Sequence, residues 1–318
     1  MSGVDQLVDG VLAGDTRSLA RVISIVEARG GDAEAILSRL AKHLRGRPVI
    51  GFSGPPGSGK STIIGRIGEY LKGNGLKVAV LAIDPSSPFT GGAVLGDRVR
   101  MVSISSTPGV FIRSMATRGA RGGVVAYVRA VLRVLDAAGF DVILVETAGA
   151  GQTDVSINDV ADVVAVVVTP DIGDSIQAIK AGLLEIGDVY VVNKADDSRS
   201  SYTASMLEAM LGRGGDRPVV LRTVATRGEG VDVLAETLLR KWEQLKSGGG
   251  LQARRRRQTI AEVAALIMED FRVAVERFST DEEFVSEVER LIAEGFDPKV
   301  VSRKMMDSIL EWMKKVKI

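Results

Sequence analysis

The chain has 318 residues, 45% hydrophobic and 25% charged, enough for one large or two smaller globular domains. Its net charge of +1 offers no general attraction to nucleic acid or to a membrane surface. It contains no Cys, which excludes disulfides, thiolate metal sites and a Cys nucleophile. Its single His, His43, fits a surface role at a helix end.

Residues 1–46 read as a helical N-terminal segment. Asp15 is a candidate N-cap, and Leu19, Val22, Ile23 and Val26 follow at helical spacing. Asp32 could cap a second segment carrying Ile36, Leu37, Leu40 and Leu44, and both stripes suit packing on a core. The first residues lack the basic and apolar regions of a signal peptide. No run approaches the ~18 apolar residues of a membrane span, so a cytoplasmic location is expected.

Pro48–Ser53 reads as a short buried strand, and Thr62-Ile63-Ile64-Gly65-Arg66-Ile67 begins a helix. Between them lies Gly54-Pro55-Pro56-Gly57-Ser58-Gly59-Lys60-Ser61. Strand, glycine-rich loop and helix in that order make a phosphate-binding loop. The glycines let main-chain N–H groups wrap closely around phosphate, and the helix from Thr62 adds its positive end. Lys60 brings a charge to the β- and γ-phosphates, and Ser61 offers a hydroxyl to Mg²⁺.

The next strand, Val78–Ile83, ends in Asp84, whose carboxylate can hold a Mg²⁺-bound water. Gly96-Asp97-Arg98-Val99-Arg100-Met101 has no clear periodicity and suits a mobile switch. Asp97 is a candidate for the magnesium shell, and Arg100 or Arg98 for neutralising the transferring phosphate. The strand Val142–Val145 ends in Glu146-Thr147-Ala148-Gly149, where many GTPases carry Asp-x-x-Gly. Glu146 can serve near the metal, and the Gly149 N–H can sense the γ-phosphate. Gln152 is a candidate for orienting the attacking water. A switch without a fixed arginine and glutamine is expected to hydrolyse slowly until a partner organises it.

A strand over Val163–Val168 precedes another over Asp188–Val192, which delivers Asn193-Lys194-Ala195-Asp196 to its C-terminal end. The Asp196 carboxylate can accept hydrogen bonds from two guanine N–H groups; adenine presents an acceptor there instead. The Lys194 stem can lie on the purine, and Asn193 can tie this turn to the phosphate loop. Thr223-Val224-Ala225, after the strand Val219–Leu221, offers a further main-chain contact to the base through Val224 and Ala225. With helices over Gly123–Ala138, Ser175–Ile186 and Val231–Lys246, residues 47–246 predict a doubly wound α/β domain with a mostly parallel sheet.

Ser247-Gly248-Gly249-Gly250 reads as a hinge, and 251–318 as a helical extension. Arg254-Arg255-Arg256-Arg257 begins a long helix as a solvated face or subunit contact rather than an RNA site. That helix carries Ile260, Val263, Ile267, Phe271, Val275 and Phe278. Thr280 and Glu283 suggest a capping box, and Asp297-Pro298 a cap with a first-turn proline. Val301, Met305, Ile309, Trp312 and Val316 line the last helix, and these stripes favour self-association.

Several segments together resemble the MeaB/ArgK family of P-loop GTPases. They include Gly14-Asp15 with Leu19-Ala20-Arg21, Gly54–Ser61, Ile83-Asp84-Pro85-Ser86-Ser87, Leu95-Gly96-Asp97-Arg98 and Arg113-Ser114-Met115 with Arg118-Gly119. Further on come Val145–Gln152, Asp174–Gly182 and Asn193–Asp196. Arg98 stands where Lys is commoner, and Ala148 and Ala150 where Val is. The resemblance implies a homodimeric GTPase that acts as a chaperone for adenosylcobalamin-dependent methylmalonyl-CoA mutase, gating cofactor loading and protecting or reactivating the enzyme. It implies magnesium ligands at Ser61, Asp84, Asp97 and Glu146, and a partner-facing switch over Asp174–Lys180. Because ArgK relatives are also labelled kinases of a lysine/arginine/ornithine transport system, a nucleotide-dependent kinase is an alternative. A metallocentre-delivery GTPase is another, disfavoured by the missing Cys and single His.

Overall fold

A computed structural model describes residues 2–28, 30–84, 109–116, 124–147, 157–170, 183–212 and 218–316. They divide into two compact units, Met1–Ala261 and Glu262–Ile318.

The first unit is built on seven strands: β1 Val49–Ser53, β2 Val78–Asp84, β3 Val110–Ala116, β4 Val142–Thr147, β5 Val163–Val168, β6 Val189–Asn193 and β7 Val219–Thr223. All pair in parallel, in the order β3-β2-β4-β1-β5-β6-β7. Parallel strands need helical crossovers on both faces, so the central strands are apolar on both sides. β5 is buried at every position. Its Val164, Val166 and Val168 enter one core, and Val163, Ala165 and Val167 the other, as the two-residue period of a strand requires.

One face is covered by α4 Lys60–Gly73 and α7 Val231–Ser247, which bury Ile63, Ile64, Ile67, Leu234, Leu238 and Trp242. The opposite face carries α5 Val124–Ala137, α6 Ser200–Met210 and the N-terminal helices α1 Gly3–Leu12, α2 Thr16–Glu27 and α3 Ala33–Leu40. Val11, Val22, Ile23 and Ile36 of those three helices are fully buried. At about 1.5–3 kcal/mol per buried aliphatic side chain, they make the N-terminal segment part of the folding unit. Asp15 caps α2 by accepting from the Arg17 and Ser18 N–H groups. Asp32 does not act as expected: it has helical dihedrals, and its side chain makes no capping bond. The expected helix over Ser175–Ile186 lies largely outside the described residues, and its described end, Leu183–Glu185, is a 3₁₀ turn.

The long helix α8 spans Gly250–Phe278, and the Ser247–Gly250 stretch is the turn between α7 and α8. Arg256 and Arg257 of the arginine run at its start are exposed, as a solvated face requires, but Arg254 and Arg255 are not part of such a face. Arg254 Nη1 and Nη2 donate to Asp188 at 2.7 and 2.9 Å, and Arg255 donates to both oxygens of Asp162 at 2.9 and 2.6 Å. Asp188 and Asp162 stand at the N-terminal ends of β6 and β5, so these two arginines pin the start of α8 to that edge of the sheet. The carboxylates lie far away in sequence, which is why the run itself reads as surface charge.

In the second unit the last part of α8 packs with α9 Glu282–Ala293 and α10 Pro298–Val316. Phe278, Leu291, Val301, Met305 and Ile309 form its core, with Phe284 and Trp312 rings 4.7 and 5.6 Å from Phe278. The expected Thr280 capping box is replaced by Asp281, which accepts from the Glu283 and Phe284 N–H groups, while Thr280 Oγ1 donates to the Arg277 carbonyl. Asp297 caps α10 through the Lys299 N–H.

Candidate functional site

The C-terminal edge of a parallel sheet is where crossover loops and helix N-termini converge, and the sequence motifs collect there. The loop from β1 to α4 is fixed by what surrounds its glycines. Gly54 has φ 141°, and a Cβ there would stand 2.0 Å from the Val167 carbonyl oxygen of β5. Gly59 has φ 92°, and a Cβ there would stand 2.2 Å from Asn193 Nδ2. At both positions any side chain meets a main-chain or buried polar neighbour, so the loop passes close to β5 and β6 only with glycine.

Lys60 is buried and donates to the Gly54 and Pro55 carbonyls at 2.9 and 3.1 Å. Its ammonium is thus held over the loop's own curve, where the main-chain N–H groups and the α4 N-terminus gather positive potential. Ser58 Oγ is buried with no hydrogen-bond partner, alone in this among the described side chains. A buried hydroxyl without a partner costs about 1–3 kcal/mol, and it lies in the loop that would surround a phosphate.

Ser61 is the second residue of α4, and Glu146 sits near the end of β4, two residues that the β1–β4 pairing brings to one edge. Ser61 Oγ donates to Glu146 Oε1 at 2.6 Å. A hydroxyl and a carboxylate are the hard oxygen donors that suit Mg²⁺. Asp84 closes β2 on the same edge. Its side chain lies outside the described residues, as do Asp97, Arg98, Arg100, Gly149, Gln152 and 174–182.

Asn193, the last residue of β6, is buried and joins three segments. Its Nδ2 donates to the Ser58 carbonyl at 2.8 Å, and its Oδ1 accepts from Thr223 Oγ1 and the Ala225 N–H, each at 3.1 Å. The phosphate loop, the base motif and the turn after β7 are therefore one hydrogen-bonded assembly. Lys194 follows in the left-handed region at φ 58°, alone among the described non-glycine residues. That conformation turns the chain sharply between Asn193 and Asp196.

Asp196 is partly exposed and pairs with Arg227 at 3.3 Å. The neighbouring Asp197 has a different task. Hydrogen bonds from the Arg199 side chain and N–H hold its carboxyl down to about 2. That pair closes the turn into α6. Val224 and Ala225 are buried beside Asn193, and Arg66 of α4 donates to the Thr226 carbonyl at 3.0 Å. Arg66 and Arg227 carry no local sequence signal, since each acts on a segment remote from its own. Among the described residues no three His, Asp or Glu side chains cluster as a metal site.

The family model described as methylmalonyl Co-A mutase-associated GTPase MeaB matches residues 19–280, a span that holds both the phosphate loop and the base motif. A Pyrococcus abyssi protein named as a GTPase is 39% identical over 314 residues, 96% of this chain and 97% of the relative. A Mus musculus protein named methylmalonic aciduria type A homolog, mitochondrial, is 33% identical over 301 residues, 87% of this chain and 71% of that protein. The crystal structure of an LAO/AO transport system kinase superposes with a TM-score of 0.70 at 22% identity, over 98% of this chain and 99% of the other. That likeness bears on the fold alone.

Proposed function

Because the chain belongs to the MeaB family of GTPases, we propose that its GTP cycle serves an adenosylcobalamin-dependent acyl-CoA mutase of the methylmalonyl-CoA mutase type. In this reading it assists cofactor loading and protects or reactivates the enzyme. The observation that carries this reading is the assembly around Asn193, which joins the phosphate loop to the base motif in a chain whose relatives include a methylmalonic aciduria type A homolog.

Within that reading the residues take the following parts. Main-chain N–H groups of Gly54–Ser61 and the Ser58 hydroxyl donate to phosphate oxygens, and the α4 N-terminus, which begins at Lys60 and includes Thr62, adds its dipole. The Lys60 ammonium leaves the Gly54 and Pro55 carbonyls for the β- and γ-phosphates. Ser61 and Glu146, with Asp84 and Asp97, hold Mg²⁺, which neutralises phosphate charge when bound. Asp196 exchanges its ion pair with Arg227 for the two guanine N–H donors, and Lys194, Val224 and Ala225 frame the base. Water attacks the γ-phosphorus, the bond to the β,γ-bridging oxygen breaks, and GDP and phosphate leave. Gln152 orients that water, Arg100 neutralises the leaving charge and the Gly149 N–H reports the γ-phosphate. The intrinsic rate is slow because a partner must order these groups.

The 251–318 extension serves a homodimer. Ile260, Val263 and Ile267 of α8 lie at helical spacing and are exposed in the single chain. That stripe is of the kind a second copy would cover. No helix of the described residues is long and apolar enough to cross a membrane.

The test is hydrolysis of γ-labelled GTP with and without methylmalonyl-CoA mutase. Mutase should raise phosphate release by at least about tenfold, given how much a partner-ordered switch can gain, with no label on either protein. Label transferred to a protein or small-molecule acceptor would favour the transport-kinase alternative, and a rate indifferent to mutase would remove the partner.

A further inference from the structure

A cavity of about 320 Å³ opens at the edge of the sheet opposite the phosphate loop, where β1 and β5 begin. This is the lower end of the size range for small-molecule sites. One wall is apolar, formed by Leu132 of α5 with Val160 and Val49. The other carries four guanidinium groups, from Arg47, Arg129, Arg133 and Arg255.

Two carboxylates also line the cavity, and the scaffold occupies both. Asp136 accepts the main-chain N–H groups of Arg45, Gly46 and Arg47 at 2.8, 2.9 and 3.0 Å. Asp162 accepts from Arg255, from Trp242 Nε1 and from the Val49 N–H, the last two at 3.1 Å. Arg129 and Arg255 are fixed in place, and Arg47 pairs loosely with Asp141 at 3.7 Å. Arg129 donates to Gln258 Oε1 at 3.0 Å and to the Asp159 carbonyl at 3.3 Å. Gln258, itself buried, donates to the Asn158 and Ala161 carbonyls at 2.8 and 2.7 Å. A wall ordered in advance loses little freedom on binding.

We propose that this cavity binds a small organic oxyanion, a carboxylate or phosphate monoester with a short apolar tail. The head lies on Arg47, Arg129 and Arg133, and the tail on Leu132 and Val160. The planar guanidinium fork suits either oxyanion. The apolar wall favours a molecule with a tail over an inorganic ion, and the remote position makes the site independent of nucleotide.

The experiment is calorimetric titration of the full chain with hexanoate, hexyl phosphate, inorganic phosphate and hexanol, without and with saturating GDP. Hexanoate or hexyl phosphate should bind at one per chain, the better of the two identifying the head group. Inorganic phosphate and hexanol should each bind about tenfold more weakly or worse, having lost one of the two walls. Arg133→Gln and the more exposed Arg47→Gln should each weaken binding about tenfold, the loss of one charge-assisted contact, with GDP affinity unchanged. The proposal is overturned if neither amphiphile saturates up to about 10 mM, a limit beyond which affinity is too weak for a site. It is equally overturned if both substitutions leave binding intact, or if GDP displaces the ligand.

Discussion

Lys60→Ala should lower the affinity for GTP and GDP by about 100-fold or more, because each charge-assisted contact to phosphate contributes about 1.5–3 kcal/mol and this ammonium makes more than one. The side chain is buried on the Gly54 and Pro55 carbonyls, so its charge stays where phosphate would sit rather than sampling solvent. Alanine removes that charge and leaves two carbonyls to find water, a local change at the loop. Stability without nucleotide should therefore fall far less than affinity does. Titration with a fluorescent GDP analogue, beside thermal unfolding of the apo protein, separates the two. Affinity kept within about threefold, little more than half a kcal/mol, would take the phosphate-binding role away from this loop.

Asp162→Ala should be among the most destabilising single changes in the first unit. The carboxylate is 2% exposed and serves four donors: Arg255 Nε and Nη2, Trp242 Nε1 and the Val49 N–H. Its loss strands a partly buried guanidinium as well as two neutral donors, and breaking one side of such a pair costs about 3–5 kcal/mol. For a unit of this size that is a fall in melting temperature of about 6–20 °C. Glu69→Ala removes the exposed partner of Arg66, a pair with side chains 44% and 48% accessible, and should change stability by less than about 1 kcal/mol. The pair of variants measured by calorimetry tests whether α8 is pinned by chemistry or only by proximity. Equal melting temperatures would dismiss the pin.

What could be read from the sequence follows from range. β1, β4, β5 and β6 are near-continuous apolar runs because helices cover both faces, and such runs announce themselves locally. The phosphate loop and Asn193–Asp196 are legible for the same reason, since each motif is complete within a few residues. The sequence reading places no strand over Val110–Ala116. This edge strand is interrupted by Arg113, whose charge is explained only by Glu27 of α2 at 2.6 Å. It also places no helix over Ser200–Met210, where serine and threonine weaken the helical signal and Asp197 begins the turn. Arg254 and Arg255 mislead because their partners stand 66 and 93 residues away. Thr280 misleads by a single position: Asp281, with its shorter reach to the N–H groups ahead, takes the cap. In the site, the motif already suggests that Asn193 ties its turn to the phosphate loop, and the Ser58 carbonyl, 135 residues away, is that tie; the Thr223 and Ala225 partners of its Oδ1 carry no such signal.

A guanine-reading carboxylate and a phosphate cradle that act as one site through Asn193 must make the intact chain discriminate guanine from adenine nucleotides. Titration of the intact chain with GDP and ADP under identical conditions tests it most directly. A polar edge contact of this kind should favour GDP by about 10⁴-fold, whereas ADP bound within tenfold of GDP would contradict it.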